Sequence, residues 1–511
     1  MSPTIKSLIL TSALFSVAAI GSAHVPNAPD SETAASAPMA EIRAPDRMLS
    51  VQTIAENVAL ARSAYADIHP GYTRFIEADA LDAAWDDLLE RSAGEGGLSV
   101  GNFYLAVSEV LALIRCDHTK AELPNALSEA RNNTPVYLPL RWTVIDGRAV
   151  VLSDTPDGAL RAGDEITSID GRSIPELRRA LHKFIPVDGY NDHVRDSGMA
   201  ASLEFMGGAV DHFGALLWDI PRQAILQVKR SDEEPQTVTL DRVHHAAWRK
   251  IAINAGARNF RDAVTLERIG ETAALLRVDT FVNYREPVDP DSLYRPVFEA
   301  LKAEGRDTLI LDLRRNGGGS TDAASALLAY FLTEPRRQAT AEIFATLDHD
   351  TYVDYISTWN NKAINPPRVA FKKLGPKQYR LRNMFSDATK KLKPATPTFD
   401  GKLIALTSRS NSSGSTNLLG QLRETRDVIF IGEKTGGNPT GPTAGTLFTL
   451  TLPESGIRLR IPVIRTVMNV TDMPDGYGLQ PDIVAPDTIE SIRAGTDPAM
   501  DAALRLITAS E

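Results

Sequence analysis

Two stretches in the C-terminal half constrain the fold of this chain more than any others. Each is a continuous apolar run, then a loop of small residues, then a helical pattern. Residues 308–313 (TLILDL) lead into RRNGGGSTD and AASALLAYFL, and residues 403–406 lead into TSRSNSSGS and TNLLGQLRETRD, with a further apolar run at 428–431. A strand that is apolar at every position is buried on both faces, as in a parallel sheet covered by helices. In the second unit Leu418, Leu419 and Leu422 fall at helical spacing, so the serine cluster sits at a strand-to-helix turn. An α/β fold follows, with its chemistry expected at the carboxyl ends of the strands, where loops meet helix N-termini carrying free N–H groups. Ser413, followed by Gly414, marks one such turn. The glycines 317–319 mark the other, and three in a row let the backbone approach a ligand with bare N–H groups. The bland reading of the serines is helix capping. The glycine loop lacks the Lys of a phosphate loop, which argues against nucleotide binding.

At roughly 150 residues per domain, 511 residues correspond to about three domains. The formal net charge of -10 argues against nucleic acid or an anionic membrane as partner. Cys116 is the single cysteine, so an intramolecular disulfide and a multi-cysteine zinc site are excluded. No metal and no cofactor are expected. At the N-terminus Lys6 precedes an apolar run over residues 8–20, and Gly21, Ser22 and Ala23 supply a small-residue cleavage point. Residues 1–23 therefore read as a secretory signal, too short to span a bilayer as a mature helix. Residues 24–45, rich in Ala, Pro, Ser and Asp, read as a flexible lead-in. A periplasmic or secreted protein without a stable membrane anchor is expected.

Residues 46–130 read as a helical region. Phe103, Val107, Val110, Leu111 and Ile114 form one apolar stripe, and His118 in CDHT lies just past its end, a helix-capping residue on the bland reading. His69 precedes the Pro70-Gly71 break and is equally open to a structural role. Residues 135–243 carry short strands, and GALRAGDEITSIDGRSI resembles the core of a PDZ domain, interrupted by an insertion at 185–221. On that resemblance Tyr137, Leu138 and Leu140 receive an extended peptide end by strand addition. Residues 250–490 hold the two diagnostic units and a helix over 297–303 with Pro296 at its start. A second insertion at 333–397 is open between a substrate-gating loop and a solvated excursion.

LILDLRRNGGGS, then ALTSRSNSSGS, FIGEKTGGNPTG and GYGLQPDI, in this order, resemble the C-terminal processing (tail-specific) peptidase family of serine proteases. The resemblance covers residues 47–487. It implies a crotonase-like (ClpP-like) ββα core, an N-terminal helical region and a PDZ-like domain. It also implies Ser413 as nucleophile and backbone N–H groups of Gly318, Gly319 and Gly414 as the oxyanion hole, each donor worth roughly 3 to 4 kcal/mol. One departure matters. Asn438 stands where many members carry a Lys base, and Lys434 is too close to the strand end to replace it. The tricorn-like branch uses a His instead, which falls on His118, with a downstream acid at Asp475 and Asp472 or Asp117 behind it. The expected protein is thus an exported serine peptidase that hydrolyses peptide or protein substrates through an acyl-enzyme on Ser413 with His118 as general base. Its activity should rise around pH 6 to 7 for an unperturbed imidazole. The alternative is a non-catalytic peptide- or ligand-binding protein on the same fold. Cys116 reads as a buried thiol rather than a nucleophile.

Overall fold

The strand Thr308–Asp312 is buried at all five positions because its sheet is covered on both faces. A computed structural model describes residues 46–200, 207–231, 233–252 and 259–508, so the expected signal and lead-in lie outside the described residues. The sheet runs in the order Val264–Ile269, Ala273–Val278, Thr308–Asp312, Lys402–Thr407, Ile429–Gly432, Ile483–Val484. Its first pair is antiparallel and the other four pairings are parallel. Alternate side chains take opposite faces. Leu309, Leu311, Leu403 and Ala405 meet the helices Pro290–Ala303, Thr321–Ala329 and Ser413–Thr425 through Phe298, Leu327 and Leu418. Ile310, Ile404 and Leu406 meet Ala499, Ala503 and Ile507 of the C-terminal helix Pro498–Thr508. Each fully buried Leu or Ile contributes roughly 1.5–3 kcal/mol, so this doubly covered layer is a rigid base for the loops above it.

One boundary differs from the sequence expectation. The helix before Thr308 begins at Pro290 with Asp289 as its cap, and Pro296 lies inside it. The Asp289 side chain accepts the N–H of Asp291, so this proline-led start wins over the later one.

A second, antiparallel sheet runs in the order Ile356–Ser357, Thr443–Thr451, Arg458–Met468, Ala339–Phe344, Gln378–Leu381, Phe371–Gly375. Four of these strands come from residues 333–397, so that insertion is built into a sheet and is not a solvated excursion. The same sheet takes Lys120–Glu122 onto the far side of Arg458–Met468, with Lys120 opposite Arg460 and Glu122 opposite Arg458. Glu122 also pairs with the Arg458 guanidinium at 2.9 Å. This strand follows His118 by two residues, and it fastens the N-terminal helices Val51–Ile68, Ala78–Gly94 and Val100–Leu113 to the core.

Between them lies an antiparallel sheet in the order Trp142–Ile145, Arg148–Val151, Glu165–Ile169, Gln223–Lys229, Gln236–Asp241, with the helix Ile174–Leu181 beside it. Ser173 and Glu176 form a reciprocal capping box at the start of that helix. The short helix Val194–Ala200, from the 185–221 insertion, packs against both Trp142–Ile145 and Ile174–Leu181. The expected peptide-receiving residues are closed. Tyr137, Leu138 and Leu140 are all buried. The N–H of Tyr137 donates to Val243 O, that of Leu138 to Asp211 Oδ1 at 3.0 Å, and that of Leu140 to Leu138 O. With donors engaged and side chains in the core, these three residues do not receive a peptide by strand addition.

Candidate active site

The strand Lys402–Thr407 ends on one side of a gap that the glycine loop closes from the other. Asn411 knits the two together. Its side-chain N–H2 donates to Leu313 O, Asn316 O and Ser415 Oγ, and its backbone carbonyl accepts the N–H groups of Gly436 and Gly437. Ser413 opens the helix Ser413–Thr425 with φ +49°, a left-handed conformation that a non-glycine residue adopts at a cost of order 1–3 kcal/mol. Such strain persists where surrounding contacts impose it, and it lifts Ser413 out of the helical path.

The N–H of Gly318 donates to Asn316 Oδ1 at 2.9 Å. Gly318 is therefore a turn residue and not an oxyanion donor, with φ +104° and no room for a side chain, since a Cβ would lie 2.8 Å from Ser412 O. Gly319 is held by Phe281, whose N–H donates to Gly318 O and whose carbonyl accepts from Ser320. Among the described residues, the N–H groups of Gly319 and Gly414 have no hydrogen-bond acceptor. A Cβ built on Gly414 would lie 3.7 Å from the Gly319 nitrogen, so the two free donors are neighbours at the start of a helix.

His118 comes to this turn through Asp117. Ser412 Oγ donates to Asp117 Oδ2 at 2.7 Å, and Asp117 Oδ1 lies 2.7 Å from His118 Nδ1. The second contact is an ion pair rather than an aligned hydrogen bond, because the ring N–H does not point along that line. Burial alone would lower the imidazole's proton affinity, but the charge of Asp117 outweighs it and raises the His118 pKa above its ordinary value. Asp117 moves down, its own burial outweighed by the charge and contact of His118. Nε2 is the ring nitrogen left over for another group. Ser413 Oγ and His118 share no hydrogen bond here, and such contacts commonly tighten only with substrate in place. The helix before His118 is capped at Ile114, so His118 is not the helix-capping residue.

Asp475 is committed elsewhere. It accepts from Arg74, with Nε at 3.2 Å, and from the Asn438 side chain at 3.2 Å, and it also takes the Thr440 hydroxyl. These contacts hold its pKa down at about 2 against its partial burial. Among the described residues the carboxylate beside His118 is that of Asp117. His69 is buried and pushed down to about 3 by desolvation. Its Nδ1 accepts the N–H of Gly71 at 3.0 Å, which leaves Nε2 to donate to Thr119 Oγ1 at 3.1 Å. A ring with both nitrogens engaged is a support for the CDHT segment, not a base. Cys116, Asp117 and His118 bring three metal-binding atom types within 4.8 Å. The Cys116 thiol is buried and turned to Thr443 O at 3.4 Å, and Asp117 is already held by Ser412, so the cluster is accounted for without an ion.

Sequence reasoning missed Asp188. It is buried, and its Oδ2 accepts the N–H of Asn438 at 2.8 Å. The only available signal was its place beside a glycine in the 185–221 insertion. Chemically, the turn offers a hydroxyl on a strained residue, two unengaged N–H donors beside it and an imidazole–carboxylate pair on a neighbouring loop. That combination suits acyl transfer.

Residues 272–485 match peptidase family S41. No curated protein matches the chain. Among solved structures, mature CPAF superposes with a TM-score of 0.60 at 14% identity, covering 87% of this chain and 94% of that one. Mature CPAF complexed with lactacystin superposes with a TM-score of 0.61 at 14% identity, over 89% and 97%. At this identity the likeness establishes a shared fold over nearly the whole chain, while the family match spans the parallel sheet and both of its loops. Residues 272–485 are thus similar to family S41 peptidases and lie within a mixed α/β fold of several sheets, and the protein is a serine-type peptidase.

Proposed function

We propose that the protein hydrolyses peptide bonds through an acyl-enzyme on Ser413, with His118 as general base and the N–H groups of Gly319 and Gly414 as the oxyanion hole. The observation that carries this reading is the Ser412–Asp117 hydrogen bond, which lays the His118 loop against the turn bearing Ser413. Ser413 Oγ attacks the scissile carbonyl as its proton passes to His118 Nε2. The carbonyl oxygen takes up negative charge between the two N–H donors, each worth roughly 3 to 4 kcal/mol when aimed at that oxygen. The imidazolium, steadied by Asp117, returns the proton to the leaving amine. Water then attacks the acyl ester by the same route and frees Ser413. Within this reading the core is crotonase-like, the sheet of residues 142–241 is PDZ-like, and the protein belongs to the His-base branch. The N-terminal pattern of residues 6–23 supports export to the periplasm or beyond.

The test is covalent labelling by a fluorophosphonate, compared among wild type, Ser413→Ala and His118→Ala. Wild type is expected to label on Ser413. Ser413→Ala is expected not to label while it keeps its melting temperature, and His118→Ala is expected to label at least about a hundredfold more slowly. Labelling of Ser413→Ala, or of His118→Ala at the wild-type rate, overturns the assignment.

A further inference from the structure

Asp188 takes no part in the chemistry above, yet its surroundings are built around that chemistry. It is 5% exposed and lies in a loop of the 185–221 insertion. Residues 188–191 touch three separate segments. Asp188 Oδ2 accepts the N–H of Asn438 at 2.8 Å. The N–H of Gly189 donates to Arg115 O at 2.9 Å, next to the loop that carries His118, and the N–H of Tyr190 donates to Gly476 O at 2.7 Å. The Asn191 side chain closes the arrangement, donating to Asp188 O and accepting from the N–H of Gly478, both at 2.8 Å. Gly189 has φ +60°, and a Cβ there would lie 2.3 Å from Gly476 O, so only glycine permits this approach.

We propose that Asp188 is a positioning residue of the active site: through Arg115, Asn438, Gly476 and Gly478, segment 188–191 clamps the His118 loop to the peptidase core, and the buried Asp188 carboxyl at the centre of that clamp acts on His118 as a second acid. This rests on the reading of His118 as the base. The charged groups that bear on Asp188 are Asp117 and His118 from the CDHT loop and Arg74 from the turn after the first helix. Burial and the negative charge of Asp117 together push the Asp188 carboxyl up to about 7, so it ionises in the range where a peptidase works. Once ionised, it strengthens the hold of His118 on its proton. A carboxyl with only a structural role would not tune His118 in this way.

The experiment is the pH dependence of fluorophosphonate labelling from pH 5 to 9.5 for the full chain, comparing wild type, Asp188→Asn, Asp188→Glu and His118→Ala. Asn keeps an oxygen for the Asn438 N–H but removes the charge, so the rising limb is expected to move down by about half a pH unit or more. Asp188→Glu restores a carboxyl and is expected to return the limb toward wild type. An Asp188→Asn limb that coincides with wild type, or a Glu variant that titrates like Asn, overturns the proposal while slow labelling by His118→Ala leaves the reading of the base intact. Should His118→Ala label at the wild-type rate, that reading falls and the proposal with it. Should Asp188→Asn not fold, the His118 ring carbons of the wild-type protein are followed by NMR, assigned by their absence from His118→Ala. Two inflections are expected, one of them from Asp188, and a single inflection overturns the proposal.

Discussion

Ser412 Oγ and Asp117 Oδ2, 295 residues apart in the chain, are joined by a 2.7 Å hydrogen bond. It links the loop of the candidate base to the residue immediately before the candidate nucleophile. Ser412→Ala removes a donor from a charged acceptor while the Asp117–His118 pair remains. A bond of this kind contributes on the order of 1 kcal/mol at a partly exposed site. The labelling rate is expected to fall by about tenfold with the melting temperature lowered by only a few degrees. Stopped-flow labelling beside calorimetry checks both, and an unchanged rate means that the bond does not position the base.

The pH profile tests the Asp117–His118 pair. A general base must be neutral to accept a proton, and Asp117 raises the His118 pKa despite its burial. The rising limb of kcat/KM should therefore lie above pH 7, not around 6 to 7 as an unperturbed imidazole implies. Asp117→Asn removes the charge, so the limb should move toward lower pH while the plateau falls. Coincident limbs in wild type and variant would show that Asp117 does not set the charge state of the base.

Gly414→Ala and Gly318→Ala separate two kinds of glycine. At Gly414 a methyl meets only ordinary contacts, at 3.5 Å from Gly319 O and 3.9 Å from the Ala324 side chain. The fold should survive, with the methyl beside the two free donors and kcat reduced about a hundredfold. At Gly318 the left-handed φ and the 2.8 Å approach to Ser412 O place the cost on folding, so the melting temperature should drop as well. Equal melting temperatures for the two variants would contradict this division.

Asp188 makes stability depend on pH. Its carboxyl ionises near 4 in the unfolded chain and at about 7 in the folded one. Between these values the folded state keeps a proton that the unfolded state has lost, so this residue's contribution to stability falls as pH rises from about 4 to 7. Asp188→Asn should be more stable than wild type at pH 8, by on the order of 2 kcal/mol, and not at pH 4. Denaturant melts at the two pH values decide it, and an equal gap at both shows that the charge is not the cause.

What could be read locally was read from the sequence. The apolar runs at 308–313 and 403–406, the helical spacing of Leu418, Leu419 and Leu422, and the small residues between them are short-range signals, and they located Ser413, Gly319 and Gly414 at strand-to-helix turns. Other features depend on which atoms meet across hundreds of residues. Gly318 and Gly319 are indistinguishable as letters, and only the path of the backbone directs one N–H to Asn316 and leaves the other free. Asp475 and Asp117 were both candidate acids. Arg74 occupies the first, and the pairing of Lys120–Glu122 with Arg458–Met468 carries the second, with His118, to the core. The weak strands of residues 333–397, two to six residues long, show no clear periodicity until a sheet edge pairs them. Local propensity and hydrophobic period determined the α/β core and its loops, whereas the charge state and partners of the candidate catalytic groups were decided by burial and by contacts that exist only once the chain has folded.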